Sequence, residues 1–378
     1  MGAKLRKYYL LTFPELPPYR VEALLLDTNS VIKIHDWTKE PNLERFNELE
    51  PIFKLIRKAE VVEPFYGAFE ASWHWDKDGT VNESNFSLVD MSMFKKRMRA
   101  VETLRYASKA EYETFKDPLR RKPISLISEE KSITSNIKAS QDEFREIATL
   151  FLPEWIAFLL LLEQVTDLSG EENIDELLEK FLNWKSTIVG YGIPWRSTVK
   201  YLGIMAFFGG TITDSFWDVD LKKKVIGRKF TSDDLLKKDL WASNGLSKVA
   251  RNLALDSFFF FERNKLQSGI MQHPNELKML KVREFRTGII TGDRGMNALN
   301  CQFIEYRANR NNLASYTIQV PPDSRIFDFE ETKRIQILSQ LQDSNPRSPN
   351  DMPTHSDLVP LLVTLINRHA KTIDQERC

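Results

Sequence analysis

The chain has 378 residues, is 42% hydrophobic and 11% aromatic, and balances 53 Lys+Arg against 53 Asp+Glu. That composition can bury a sizeable core and excludes an intrinsically disordered chain; zero net charge excludes a uniformly basic nucleic-acid binder while leaving room for a local basic groove. The length suits one enlarged domain or two. Cys301 and Cys378 form no CxxC pair, which points to a reduced, cytoplasmic protein.

In chain order, residues 1–20 read as a Pro-punctuated lead-in whose apolar stretch stops at Pro14, a poor signal peptide. "VEALLLD" is a short buried strand, and "NSVIKIHDW" opens a helix with Asn29 or Ser30 as N-cap. Residues 43–60 are helical, with Pro51 marking a break or a new start. "VVEPF" is a second strand and "YGAFEASWHW" begins another helix. Residues 93–123 are mostly helical and basic. Residues 141–188 suggest two amphipathic helices, although "LFLPEWIAFLLLLEQV" is apolar enough for a core helix and too short to span a bilayer. A helix near 195–208 is followed by a Gly-Gly break and the acidic "TDSFWDVD", whose spacing is not that of a calcium loop and which reads as a turn with a helix cap. Residues 243–269 form a long helix capped by Ser243 and ended by Gly269. "FRTGIITGD", "CQFIEYR" and "ASYTIQVPP" are later strands, residues 323–342 a helix, 343–353 a linker, and the chain ends in a helix. Strands alternating with helices predict an α/β fold with a parallel central sheet flanked by helices.

"ALLLD" and "GIITGD" share one design: an apolar strand ending on a carboxylate, followed by a helix start. Ligands of open α/β sheets sit beyond the carboxyl ends of strands. If the two strands are neighbours, Asp27 and Asp293 converge there, and two such carboxylates repel unless a cation intervenes. Mg²⁺ or Mn²⁺ suits such oxygen donors, and a site of that kind polarises a phosphoryl oxygen and acidifies a bound water. Asp256, inside "LALDSFFFF", is too apolar in its setting to stay unpaired. Glu70, on the helix after "VVEPF", is a fourth candidate, with Glu63 as its rival.

"LLLDTNSVI", an acid on the next helix, an Asp on a late helix and "ITGDRGM" together resemble the PIN-domain nucleases. The resemblance covers about 21–75 and 244–320. It implies a PIN-like parallel sheet flanked by helices, with Asp27, Glu70, Asp256 and Asp293 as the acidic metal-binding cluster. Thr28, Asn29 and Thr291 would be its hydrogen-bonding supports. It also implies Mg²⁺- or Mn²⁺-dependent hydrolysis of RNA. On this reading 76–243 is a large, mainly helical insertion, available for a protein partner or self-association, and 321–378 a C-terminal helical extension. Single-stranded RNA is the expected substrate, with single-stranded DNA also open, because Trp and Phe can stack unpaired bases. Arg294 and Lys33 are near enough in sequence to contact phosphate.

Blander roles stand beside each of these. Asp27 and Asp293 can simply cap the helices that follow them. Asp256 can sit in a buried salt bridge, with Arg263 seven residues on as its partner. Glu70 can be a solvated helix residue, and the basic stretch 93–123 a solvated face. His35 and His74 lie beside tryptophans without zinc-type spacing, and Phe258–Phe261 belong to the core. Two rival functions follow: a catalytically silent PIN-like scaffold, and a haloacid-dehalogenase-like phosphatase. The latter lacks its second Asp, since Asn29 stands where the general acid would be.

Overall fold

The computed structural model describes residues 2–12, 20–73, 89–117, 122–132, 150–193, 196–267, 270–272, 279–281, 284–306, 315–342 and 355–376. His74, Gly269 and the 343–353 linker lie outside these residues.

A seven-stranded mixed sheet organises the chain: β1 (Gly2–Leu5), β2 (Tyr8–Thr12), β3 (Ala23–Leu26), β4 (Val61–Glu63), β5 (Ile212–Asp218), β6 (Lys223–Phe230) and β9 (Thr287–Thr291). Its order is β4-β3-β9-β2-β1-β5-β6. Strand β3 runs parallel to β4 and β9, and β1 parallel to β5; the other pairs are antiparallel. Two small antiparallel pairs stand apart: β7 (Ile270–Gln272) with β8 (Met279–Lys281), and β10 (Phe303–Tyr306) with β11 (Ser315–Ile318). Helices flank the main sheet: α1 (Thr28–Lys39), α2 (Leu43–Lys58), α3 (Phe65–Ser72), α4 (Met91–Tyr106), α5 (Lys109–Phe115), α6 (Leu152–Thr166), α7 (Ile174–Gly190), α8 (Ser197–Phe208), the one-turn α9 (Ser232–Leu235) and α10 (Trp241–Asn244), α11 (Leu246–Gln267), α12 (Arg294–Asn300), α13 (Glu331–Gln342) and α14 (His355–Glu376). No helix among the described residues is long and apolar enough to cross a membrane.

Several expectations are corrected. The sheet is mixed, because residues 1–20 are more than a lead-in: β1 and β2 form a tight antiparallel pair that lies against β9. Residues 76–243, expected to be mainly helical, also hold β5 and β6. "TDSFWDVD" lies mostly in β5, where Ile212, Asp214 and Phe216 are buried in alternation. The buried Asp214 hides the period-2 pattern; no helix follows directly, and Asp218 instead supports the β5–β6 turn, accepting from the N–H groups of Asp220 and Leu221. Pro51 does not break α2; the carbonyl it leaves without an N–H partner belongs to exposed Asn47, where water can serve. Helix α6 is buried along nearly all its length, as the core-helix reading of its apolar run expects and the amphipathic reading does not. Residues 325–328 form a 3₁₀ turn ahead of α13, so that segment is not one continuous helix. Ser243 does not cap the long helix: Gly245, at φ +74°, separates α10 from α11.

Strands β2, β3 and β9 are buried at every position, which makes them the centre of the core. Their Leu and Ile side chains contribute on the order of 1.5–3 kcal/mol each. Helix α3 closes tightly on β3 through Gly67, where a Cβ would lie 2.5 Å from the Leu26 carbonyl oxygen. That approach brings the residue one turn later, Glu70, to the end of β3.

Candidate functional site

Because β3 and β9 pair in parallel, Leu26 opposite Ile290, the residues that follow them leave the sheet at the same end. Asp27 is 5% exposed. It is the N-cap of α1, in place of Asn29 or Ser30. Its Oδ1 accepts from the Ser30 N–H at 2.7 Å, and its Oδ2 accepts from the Gly292 N–H, in the turn after β9, at 3.3 Å. Burial raises its pKa; bonds from Ser30, Thr291 and Gly292 act against that rise. Asp293 caps α12 through the N–H groups of Gly295 and Met296, at 2.6 and 3.2 Å. Both aspartates therefore fill the bland capping role, at the same end of the sheet.

Glu70 joins the Asp27 side. The Thr28 hydroxyl donates to Glu70 Oε2. Burial raises the Glu70 pKa, Thr28 and the Arg251 guanidinium lower it, and the Asp27 charge raises it further. Its rival Glu63 is occupied elsewhere: it accepts from the Phe65 N–H at 2.7 Å at the start of α3, and burial pushes it up to about 7.

Asp256 and Asp293 are joined by Lys237, whose ammonium lies 2.8 Å from Asp256 Oδ2 and 3.1 Å from Asp293 Oδ2. The three side chains are 22–25% exposed. Burial pushes Asp256 up to about 7 although Lys237 opposes it, with Asp293 and Glu70 adding to the rise. Asp293 goes the other way: burial alone would raise it, but Lys237 and the α12 N–H groups hold it below the usual range. Burial alone would lower Lys237, but the two aspartates raise it. Lys237 has left-handed backbone, φ +55°, uncommon for a residue with a side chain. Arg263 is not the partner of Asp256; it is fully buried and its guanidinium donates to Asn300 Oδ1.

Of the proposed supports, Thr28 and Thr291 take their places. Thr291 Oγ1 also accepts from the Asp293 N–H at 2.9 Å. Asn29 is exposed, and Ser30 provides the contact to Asp27 instead. A cleft of about 250 Å³ opens beside Asp256 and Asp293, its lining including Lys237, Arg228 and Arg294 but not Asp27 or Glu70. Arg294 reaches it from the start of α12, although its Nε is bonded to the buried Asp214 at 2.6 Å. Lys33 is exposed on α1 and does not line the cleft. Lys237, Arg228 and Gly67 carry no mark in the sequence. Ser30 does, as a small polar residue at the position a capping carboxylate bonds.

The donor set has the chemistry of a hard divalent cation. Of the four carboxylates, three have pKa values raised by burial; Lys237 acts on Glu70, Asp256 and Asp293, Arg251 on Glu70, and neither on Asp27. Among the described residues, however, no three His, Cys, Asp or Glu side chains are grouped closely enough to hold a metal ion. The Lys237 ammonium stands between two of the four.

In comparisons with protein-family models, curated proteins and solved structures, nothing matches this chain.

Proposed function

We propose that this protein is a Mg²⁺- or Mn²⁺-dependent endonuclease with a PIN-like core, hydrolysing RNA phosphodiester bonds. The observation that carries the reading is the parallel β3–β9 pair, from which Asp27 and Asp293 leave the sheet at the same end; the Asp27 charge acts on Glu70, and those of Asp293 and Glu70 act on Asp256. Asp27, Glu70, Asp256 and Asp293 would hold the cation. When bound, it supplies Lewis-acid polarisation of a phosphoryl oxygen and a more acidic water. The chain's own groups do the positioning: Ser30 and Gly292 fix the Asp27 carboxylate, and Thr28 orients Glu70. Arg294 and Arg228 stand at the cleft as phosphate-facing cations. The core would comprise 21–75 and 244–320, widened by β1, β2, β5 and β6.

One observation favours a second reading. Lys237 already neutralises part of the Asp256–Asp293 pair, as an internal cation would in a PIN-like scaffold without catalysis. The discriminating experiment incubates the protein with pooled RNA and with single-stranded DNA, in Mn²⁺, in Mg²⁺ and in EDTA. Asp27→Asn and Asp293→Asn are run alongside. The nuclease reading expects metal-dependent cleavage that falls at least about 100-fold in both variants, with folding intact by circular dichroism. Absent cleavage, together with no calorimetric sign of Mn²⁺ binding, selects the scaffold.

A further inference from the structure

The chain is neutral overall, yet one sheet edge carries a run of positive charge. Between 219 and 230 stand Lys222, Lys223, Lys224, Arg228 and Lys229, all exposed, with Asp220 the single acid. Strand β6 is the last in the sheet order. Lysines on an edge strand alone guard against pairing with another chain. That role does not account for the apolar side chains among them: Ile226 is 74% exposed and Trp217 46%. The register sets Trp217 opposite Lys224 and Ser215 opposite Ile226, so Trp217, Lys224 and Ile226 share one face. An indole beside an ammonium, on an aliphatic platform, suits an unpaired base and its phosphate.

The same strand leads to the cleft. The β5–β6 register shifts between Thr213 and Ser215, which leaves Gly227 and Arg228 both facing Asp214. Such a bulge re-aims a side chain. Here Arg228 becomes part of the cleft lining, its guanidinium 4.2 Å from the Phe230 ring centre and 3.5 Å from Asp234. Gly227 serves the second arginine. A Cβ there would fall 1.8 Å from Asp214 Oδ1 and 2.6 Å from an Arg294 guanidinium nitrogen, so a side chain at this position would have to displace that ion pair. The basic stretch on α4 and α5 competes poorly for the same ligand. Lys95 and Lys116 are bound to Glu129 and Glu113, and Arg97 and Arg99 donate to Ser72 and to the Ile127 carbonyl.

We propose that the β6 edge and its bulge form a track for a single-stranded polynucleotide, passing from Trp217 and Lys224 to Arg228 and Arg294 at the acid-lined cleft. Its direction rests on the nuclease reading; its capacity to bind does not. The test is fluorescence anisotropy of the full chain in EDTA, with a labelled 15-nucleotide RNA, the same sequence as single-stranded DNA, and a duplex. The wild type binds both single strands more tightly than the duplex. Reversing Lys222, Lys223 and Lys224 to Glu weakens binding at least about tenfold and flattens the salt dependence by about two in slope. Trp217→Ala weakens it about tenfold and leaves the salt slope unchanged. Lys96→Glu on α4 is the control, with no loss. Binding unaffected by the β6 variants, equal binding of duplex, or no polynucleotide binding overturns the track; the last outcome leaves the edge to a protein partner. β6-dependent binding without metal-dependent cleavage keeps the track and removes the nuclease. Cleavage indifferent to the β6 variants does the reverse.

Discussion

The two halves of the acid cluster are built from different materials. Asp27 and Glu70 are held by neutral donors that belong to the sheet and its first helices: two backbone N–H groups and the Thr28 hydroxyl. Asp293 is also fixed by backbone N–H groups, those of Gly295 and Met296, but it and Asp256 share in addition a full positive charge, delivered by a left-handed turn between β6 and α11. The first half is part of the core and cannot move without it. The second depends on one flexible side chain, so its charge balance can change without refolding. A site that must exchange an internal ammonium for an external cation needs this asymmetry: fixed ligands on one side, a replaceable counter-ion on the other.

Lys237→Met tests this most severely. Removing one partner of a buried charge pair costs about 3–5 kcal/mol, and the quarter exposure here argues for the lower end, about 3 kcal/mol. Urea unfolding in EDTA measures that loss. If Lys237 stands in for a cation, Mn²⁺ restores most of the lost stability in the variant and stabilises the wild type less. No rescue by Mn²⁺ would make Lys237 a structural counter-ion and strengthen the scaffold reading. Gly67→Ala probes the opposite half. Its Cβ would press on the Leu26 carbonyl, with backbone on both sides and no side chain able to yield. The expected loss is about 2 kcal/mol. Because α3 shifts from β3, the Thr28–Glu70 bond goes with it, and added Mn²⁺ does not restore stability.

The same asymmetry explains what could be read in the sequence. Asp27, Asp256 and Asp293 were legible because a carboxylate inside or ending an apolar run has to be reconciled with burial. The β3–β9 adjacency was only supposed from their shared design; the parallel register shows it. Lys237 was not legible. It sits in "LLKKDL" beside Lys238, which forms a surface pair with Asp233 at 3.4 Å. The two lysines differ only in what a left-handed turn does with them, and no local pattern announces that turn. Arg263 misled for a related reason: seven residues from Asp256 is nearly two helical turns, about 10 Å along the axis, so a shared face did not mean contact. Strands β1 and β2 do not end on a carboxylate as β3 and β9 do, and β5 was concealed by the buried Asp214, whose partner Arg294 is 80 residues away.

The smallest expected effect concerns α1, the helix that Asp27 caps, and it asks whether that half fails in acid. His35 is buried on α1, and its pKa is lowered to about 4, first by burial and then by Lys39 on its own helix and Arg97 and Lys96 on α4; Asp36 acts the other way. An unfolded histidine titrates near 6.5. Above that pH both states are neutral and His35 does not influence folding; as pH falls from 6.5 towards 4, only the unfolded chain takes the proton, and stability is lost. The loss between pH 8 and pH 5.5 is about 1.5 kcal/mol. Glu63 has the opposite sign: its folded pKa is raised to about 7, so its contribution is present below 4.5 and lost as pH rises. The two slopes overlap, so the readout is a difference, the pH dependence of urea unfolding in wild type minus that in His35→Gln. A difference near zero would show that His35 is solvated or paired in the folded chain. A difference of the expected size would mean that acid loosens α1, and with it the Ser30 contact that fixes Asp27, while the Lys237-bridged pair is untouched.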